Sequence, residues 1–282
     1  MASALTPPLQ GLETGRQADA ADVDRLLDGA TIHLVNADPP YGVNVEPRSN
    51  NAIAAGLSSF TGTTNHQSLD VARHPEKAKP TTRKLRAKDR PLVNDFVGDD
   101  AYGRLLQAWF GNIARVLRPG RCFYIWGGYS NCGTYPPVLE ANGLYFSQAI
   151  IWVKGHPVLT RKDFMGDHEW AFYGWRQGAR HEFFGPNNAT DVWCVKKINP
   201  QNMVHLTEKP VELAARALEY SSRVGENVLD LFGGSGSTLI AAEQTGRRAF
   251  VMEVDELYCD VIVQRWERFT GKKAVHQPAQ AS

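Results

Sequence analysis

Cysteine is scarce: four residues in 282, Cys122, Cys132, Cys194 and Cys259, with no C-x-x-C pair among them. Without that spacing there is no metal or dithiol motif. Each sits in or beside an apolar stretch, so all four are expected as reduced core or near-core thiols of a cytoplasmic protein. Net charge is small too, +1 at pH 7, which does not by itself indicate a nucleic-acid partner. No uncharged apolar run approaches a membrane span, and residues 1–29 lack the charged-then-apolar pattern of an export signal. A soluble protein with no membrane partner is therefore expected. Neither an internal repeat nor a Walker lysine is present. What the chain does have is 43% apolar residues and the length to bury a large core, so one domain over residues 1–282 is expected.

Strand and helix patterns alternate through most of the chain, which predicts an α/β architecture with a mainly parallel sheet. A short helix over 22–28 stops at Gly29, and 31–37 reads as a buried strand. Over about 43–93 periodicity disappears, which marks a flexible insertion. Within it, residues 73–90 hold eight Lys or Arg against Glu76 and Asp89 only. A basic segment of this kind, with Arg83, Lys84 and Arg86 at its centre, can hold a phosphate backbone. Asp99 and Asp100 then cap a helix whose apolar residues, from Leu105 to Leu117, fall at three- and four-residue spacing, and Pro119-Gly120 ends it. Further strands are predicted over 121–126, 145–153, 168–173, 191–195, 227–232 and 249–254. Helices are predicted over 136–143, 210–222, 238–245 and 256–269.

Residues 228–238 read Val-Leu-Asp-Leu-Phe-Gly-Gly-Ser-Gly-Ser-Thr. A strand here runs into a loop with Gly233, Gly234 and Gly236 and opens a helix, the layout that lets backbone approach a cofactor closely. Glu253 lies twenty residues after Gly233, at the end of the next strand, where a carboxylate can accept from both hydroxyls of a ribose. The full G-x-G-x-x-G spacing of a dinucleotide site is missing.

The tetrapeptide Asp38-Pro39-Pro40-Tyr41 ends the first strand. Two successive prolines fix φ and supply no N–H, which leaves the Pro39 carbonyl available as an acceptor beside the Asp38 carboxylate. Those two acceptors can hold both hydrogens of an exocyclic NH2 while the Tyr41 ring stacks on the attached heterocycle. Such an amino nitrogen is a poor nucleophile because its lone pair is delocalised. Accepting both hydrogens favours a pyramidal nitrogen with a localised pair, which lowers the barrier to its attack.

With these two motifs the chain resembles the amino-methyltransferases of DNA, and the order, Asp38-Pro-Pro-Tyr first and Asp230-Leu-Phe-Gly-Gly-Ser-Gly late, is similar to their permuted β group. His205-Leu-Thr-Glu-Lys-Pro210 resembles the family's H-x-T-x-K-P element. Leu117-Arg-Pro-Gly120, Ile151-Trp-Val-Lys154 and His168-Glu169 are similar to weaker ones. The resemblance implies a Rossmann-like S-adenosylmethionine-dependent methyltransferase fold, a mainly parallel twisted sheet with helices on both faces. It also implies methyl transfer from S-adenosylmethionine to adenine N6 in double-stranded DNA. Asp38, Pro39, Pro40 and Tyr41 would form the catalytic turn. Asp230, Phe232, Gly233, Gly234, Ser235, Gly236, Ser237 and Glu253 would hold the cofactor, and Thr207 with Lys209 would lie near its methionine end. A target-recognition region is implied over about 155–200. Dimers are common among such relatives, and a restriction endonuclease partner is not implied. Adenine N6 is preferred over cytosine N4, the alternative target, because aspartate opens the tetrapeptide, whereas serine is commoner there in cytosine-directed relatives. An NAD-dependent oxidoreductase would explain the glycine loop and Glu253 but not Asp38 to Tyr41, and a DNA-binding module without catalysis would explain the basic segment but not a cofactor site.

Overall fold

The computed structural model describes residues 11–14, 16–42, 99–158, 163–198 and 208–276. The insertion at 43–93 with Arg83, Lys84 and Arg86, and also Thr207, lie outside them.

Eight strands form one sheet: β1 Gly11–Thr14, β2 Ile32–Ala37, β3 Leu117–Gly127, β4 Leu144–Val158, β5 Gly166–Arg176, β6 Val192–Cys194, β7 Asn227–Asp230 and β8 Arg248–Glu253. Their spatial order is β1-β8-β7-β2-β3-β5-β4-β6. All neighbours are parallel except where β5 runs against β3 and β4. The helices are α1 Ala20–Leu27, α2 Asp99–Val116, α3 Tyr135–Ala141, α4 Val211–Ser221, α5 Ser237–Thr245 and α6 Glu256–Thr270.

Helices cover both faces, so strand residues are buried on alternate sides and the strands read as continuous apolar runs. On one face Val35, Phe123, Ile125, Leu229 and Met252 pack against Val23, Leu26, Trp109, Phe110 and Leu139 of α1, α2 and α3. On the other, Leu34, Tyr124, Trp126, Val228 and Val251 pack against Leu213, Leu218, Leu239 and Ile262 of α4, α5 and α6. This is the Rossmann-like sheet that the sequence predicts.

Four local expectations change. Asp99 and Asp100 are the first residues of α2 rather than a cap ahead of it. Pro119-Gly120 does not separate helix from strand: β3 starts at Leu117, directly after α2. The proline and glycine sit in a register shift of the β2–β3 pairing between Ile32 and Leu34, where Gly120 takes φ +79°. Such a bulge is one of the few places where a strand tolerates both residues. The strand β1 carried no signal in the sequence, being four residues long and recruited to the edge by pairing with β8. Cys122 is buried, but Cys132 and Cys194 are exposed and Cys259 is half-buried; all four are free thiols. No helix among the described residues is long and apolar enough to cross a membrane.

Candidate active site

The two motifs meet. Strands β2 and β7 are parallel neighbours, with Leu34 opposite Val228 and Val35 opposite Leu229. Asp38 and the glycine loop therefore leave the sheet side by side at its C-terminal edge. The helix following β7 lies on one face, while α2, the first described helix after β2, lies on the other. A crevice at such a point is where open α/β sheets bind ligands.

A buried polar chain fixes the two strand ends to each other. Trp126 Nε1 donates to Asn36 Oδ1 (3.1 Å), Asn36 Nδ2 donates to Thr238 Oγ1 (2.9 Å), and Thr238 Oγ1 donates to Asp230 Oδ2 (2.6 Å). The other Asp230 oxygen accepts from the Phe232 N–H at 2.9 Å, which starts the glycine turn. Gly236 takes φ +79°, a left-handed conformation that a side chain would strain, and it directly precedes α5. Glu253, at the end of β8, accepts from the N–H groups of Gly234 (2.8 Å), Val254 (2.9 Å) and Asp255 (3.0 Å). A carboxylate offers about four lone-pair positions, so one stays available to a ligand hydroxyl. The loop is closed from below by Ser237 Oγ, which donates to the Lys209 carbonyl at 2.8 Å. Arg265 donates to the Ser235 carbonyl (2.9 Å) while pairing with Glu208 (2.8 Å).

Across the crevice the Pro39 to Tyr41 turn is held by its carbonyls. Tyr102 donates to the Pro40 carbonyl (2.9 Å) and Asn131 to that of Tyr41 (3.1 Å). Among the described residues the Pro39 carbonyl accepts no hydrogen bond. Asp38 uses only one oxygen in the same set: Oδ1 accepts from Tyr41 Oη at 2.9 Å and pairs with Lys209 Nζ at 2.5 Å. Its Oδ2 and the Pro39 carbonyl are thus two acceptors on adjacent residues with capacity to spare. Lys209 also reaches Glu169 Oε2 (3.4 Å), which sits on β5, and Lys154 of β4 closes on Glu169 Oε1 at 2.6 Å.

The crevice is acidic. Asp38, Asp230, Glu253 and Glu169 face two ammonium groups, Lys209 and Lys154. Desolvation pushes the Asp230 carboxyl up to about 7, Asp38 and Glu253 adding like charge, while hydrogen bonds from Thr238 and Phe232 oppose the rise. Between about pH 4, where a free carboxyl titrates, and pH 7 the native state therefore binds a proton that the unfolded chain does not. Stability through Asp230 falls as pH rises across that window, by up to about 4 kcal/mol. Asp230→Asn, which mimics the protonated acid, removes that dependence. Denaturant unfolding of both proteins at pH 5 and 7.5 checks it: the gap between them shifts in favour of the variant at the higher pH.

The structure brings together Asp38, Pro39, Pro40, Tyr41, Asp230, Phe232, Gly233, Gly234, Ser235, Gly236, Ser237, Glu253 and Lys209. Lys209 differs from expectation in reach. Its carbonyl lies at the glycine loop, but its ammonium lies on Asp38. No motif in the sequence marks Asn36, Trp126 or Thr238 as site residues. The available signal is an asparagine among the buried apolar residues that end β2, two residues before Asp38, since a buried amide requires a partner. No group of three or more His, Cys, Asp or Glu among the described residues is arranged to hold a metal ion.

A doubly covered, mainly parallel sheet with an acceptor-rich turn beside a glycine loop defines a group-transfer enzyme of the methyltransferase type. The chain belongs to the DNA methylase family, whose model for N6 and N4 enzymes matches residues 32–264. It is similar to the type II methyltransferase M2.DpnII of Streptococcus pneumoniae, 28% identical over 174 residues, which are 56% of this chain and 65% of that protein. This chain thus spans just under two thirds of that relative. It is also similar to the type II methyltransferase M.HindIII of Haemophilus influenzae, 21% identical over 290 residues, covering 85% of this chain and 90% of the relative. Among solved structures it resembles M1.HpyAVI in complex with SAM (TM-score 0.62, 18% identity, 92% of this chain and 99% of the other). It also resembles the cytosine-N4-specific PvuII DNA methyltransferase (TM-score 0.61, 13% identity, 93% and 91%). At those identities the structural likeness is one of fold.

Proposed function

We propose that this DNA methyltransferase transfers a methyl group from S-adenosylmethionine to adenine N6 in double-stranded DNA, in the cytoplasm. The observation that carries the reading is the free pair of acceptors, Asp38 Oδ2 and the Pro39 carbonyl, beside a glycine loop in an acidic crevice. The carboxylates of Glu253 at the loop and Asp38 across the crevice suit a donor with a sulfonium charge and repel the pyrophosphate of a dinucleotide, which disfavours the oxidoreductase reading.

Bound along Asp230 to Ser237, with Glu253 on its ribose, S-adenosylmethionine supplies an activated methyl group. The chain's own residues do the rest. Tyr41, its hydroxyl tied to Asp38, stacks on a base extruded from the duplex. Asp38 and Pro39 accept the two amino hydrogens and localise the nitrogen lone pair. The proton that the nitrogen sheds after methylation leaves to Asp38 or to water. No covalent bond to the enzyme is needed. Aspartate at the head of the tetrapeptide favours adenine over cytosine N4.

The duplex is held outside the crevice. Strands β4 and β5 pair antiparallel, and their paired ends Val158 and Gly166 lie at the same end of the sheet as Asp38, within the 155–200 region that we assign to target reading. The basic segment with Arg83, Lys84 and Arg86 holds phosphates. Neutralising these three residues together lowers the slope of log affinity against log salt by roughly two to three. Titration of labelled duplex at several salt concentrations checks this, and an unchanged slope assigns the segment to solvent.

A further inference from the structure

Lys209 is fixed at both ends. Its carbonyl accepts from Ser237, and Pro210 follows it into α4, while its ammonium is shared by Asp38, Tyr41 (2.7 Å) and Glu169. The ammonium also lies 5.2 Å from the ring centroid of Tyr41 and 5.5 Å from that of Trp126. Charge alternates along Lys154, Glu169, Lys209 and Asp38, all held close by the two strands β4 and β5 and the start of α4.

This inference rests on the reading of Asp38 as the acceptor of the target amino group. We propose that Lys209 is a positioning residue for methyl transfer: its ammonium fixes Asp38 Oδ1 and keeps the carboxylate ionised, so that Oδ2 is presented to the incoming base. The groups that face Asp38 are Tyr41 on its own turn, Tyr135 of α3, Glu169 of β5, Asp230 of β7 and Lys209 ahead of α4, with Lys154 and Lys197 one step behind. Among these only Lys209 puts a positive charge in contact with Asp38. Burial pushes the Asp38 carboxyl up, Lys209 opposes that, and Glu169 adds to it. Without the ammonium the Asp38 carboxyl rises further and takes up a proton at a higher pH than in the intact pair. A carboxyl protonated on Oδ2 donates from that oxygen and no longer accepts the amino hydrogen that the ionised form takes. Burial opposes the charge on Lys209, but Asp38 first and Glu169 second outweigh it, so the ammonium pKa is raised.

The test is the pH profile of kcat/KM for DNA at saturating S-adenosylmethionine in Lys209→Met, Lys209→Arg and Glu169→Gln, with donor affinity measured by calorimetry, which also reports folding. Lys209→Met is expected to move the acid limb up by at least about one pH unit, lowering kcat/KM at pH 7 by about tenfold or more, with donor affinity kept within about threefold. Lys209→Arg keeps the limb near the wild-type position. Glu169→Gln, which removes a like charge from Asp38, does not move it up. A pH-independent loss in Lys209→Met overturns the proposal, as does loss of donor binding, which would place the lysine in the donor pocket. If Lys209→Met does not fold, a raised limb in Glu169→Gln or in Lys209→Arg overturns it on its own. Full turnover by Asp38→Ala would instead remove the reading of the site on which the proposal rests.

Discussion

Replacing Asp38 by alanine lowers methyl transfer by about a thousandfold and leaves S-adenosylmethionine affinity within about threefold. The size follows from the role proposed for the carboxylate: as one of two acceptors for a nitrogen that gains nucleophilicity only as its hydrogens are drawn off, a preorganised group of this kind is worth about 10² to 10³ in rate. The selectivity follows from place. Asp38 touches Tyr41 and Lys209 and none of the glycine-loop residues. Once it is removed, Lys209 retains Glu169 as a partner at 3.4 Å, so no buried cation is stranded and the fold survives. Asp38→Asn is expected to be nearly as poor, because its amide presents a donor on one side. Single-turnover transfer of labelled methyl to duplex DNA, with calorimetric titration of the donor, measures both halves. Normal turnover in either variant contradicts the assignment.

Replacing Glu253 by alanine has the opposite signature: donor affinity falls by about a hundredfold, roughly 2.7 kcal/mol. Two effects combine. In the proposed role the donor's ribose loses its acceptor, and the N–H groups of Gly234, Val254 and Asp255 lose theirs, so the glycine loop is no longer pinned to the end of β8. Unmade hydrogen bonds in a buried setting also lower stability, by about 2 kcal/mol here, offset in part because burial itself disfavours the charged carboxylate. Glu253→Gln keeps one acceptor oxygen and falls between. At saturating donor the rate of transfer recovers to near wild type, because Glu253 is remote from the amino group. A variant with intact affinity and a lost rate would contradict the division of labour between the two motifs.

Much of this was legible in the sequence because the informative features are local. A glycine loop between an apolar strand and a helix, an acid at the end of the next strand and a rigid Asp-Pro-Pro-Tyr turn each carry their geometry within a few residues. The buried strands are readable as apolar runs, and the helix that holds Leu105 to Val116 from its three- and four-residue spacing. What could not be read depends on partners distant in sequence. The charge of Lys209 fits either half of the site until the fold brings it to Asp38, and Glu169 gains a role only through the antiparallel pairing of β5 with β4, which sets it beside Lys154. Asn36 joins the two halves across 202 residues. Strand β1 exists because β8 offers it an edge, not because four residues specify it.

The central claim is that the crevice between β2 and β7 methylates an exocyclic amino group of DNA. The most direct test is incubation of unmodified duplex DNA with the protein and isotopically labelled S-adenosylmethionine, digestion to nucleosides and identification of the labelled one by mass, with Asp38→Ala alongside. The expected product is N6-methyladenine, absent with the variant. Label on N4 of cytosine would keep the chemistry and overturn the choice of base; label on a ring carbon, or equal labelling by Asp38→Ala, would contradict the account.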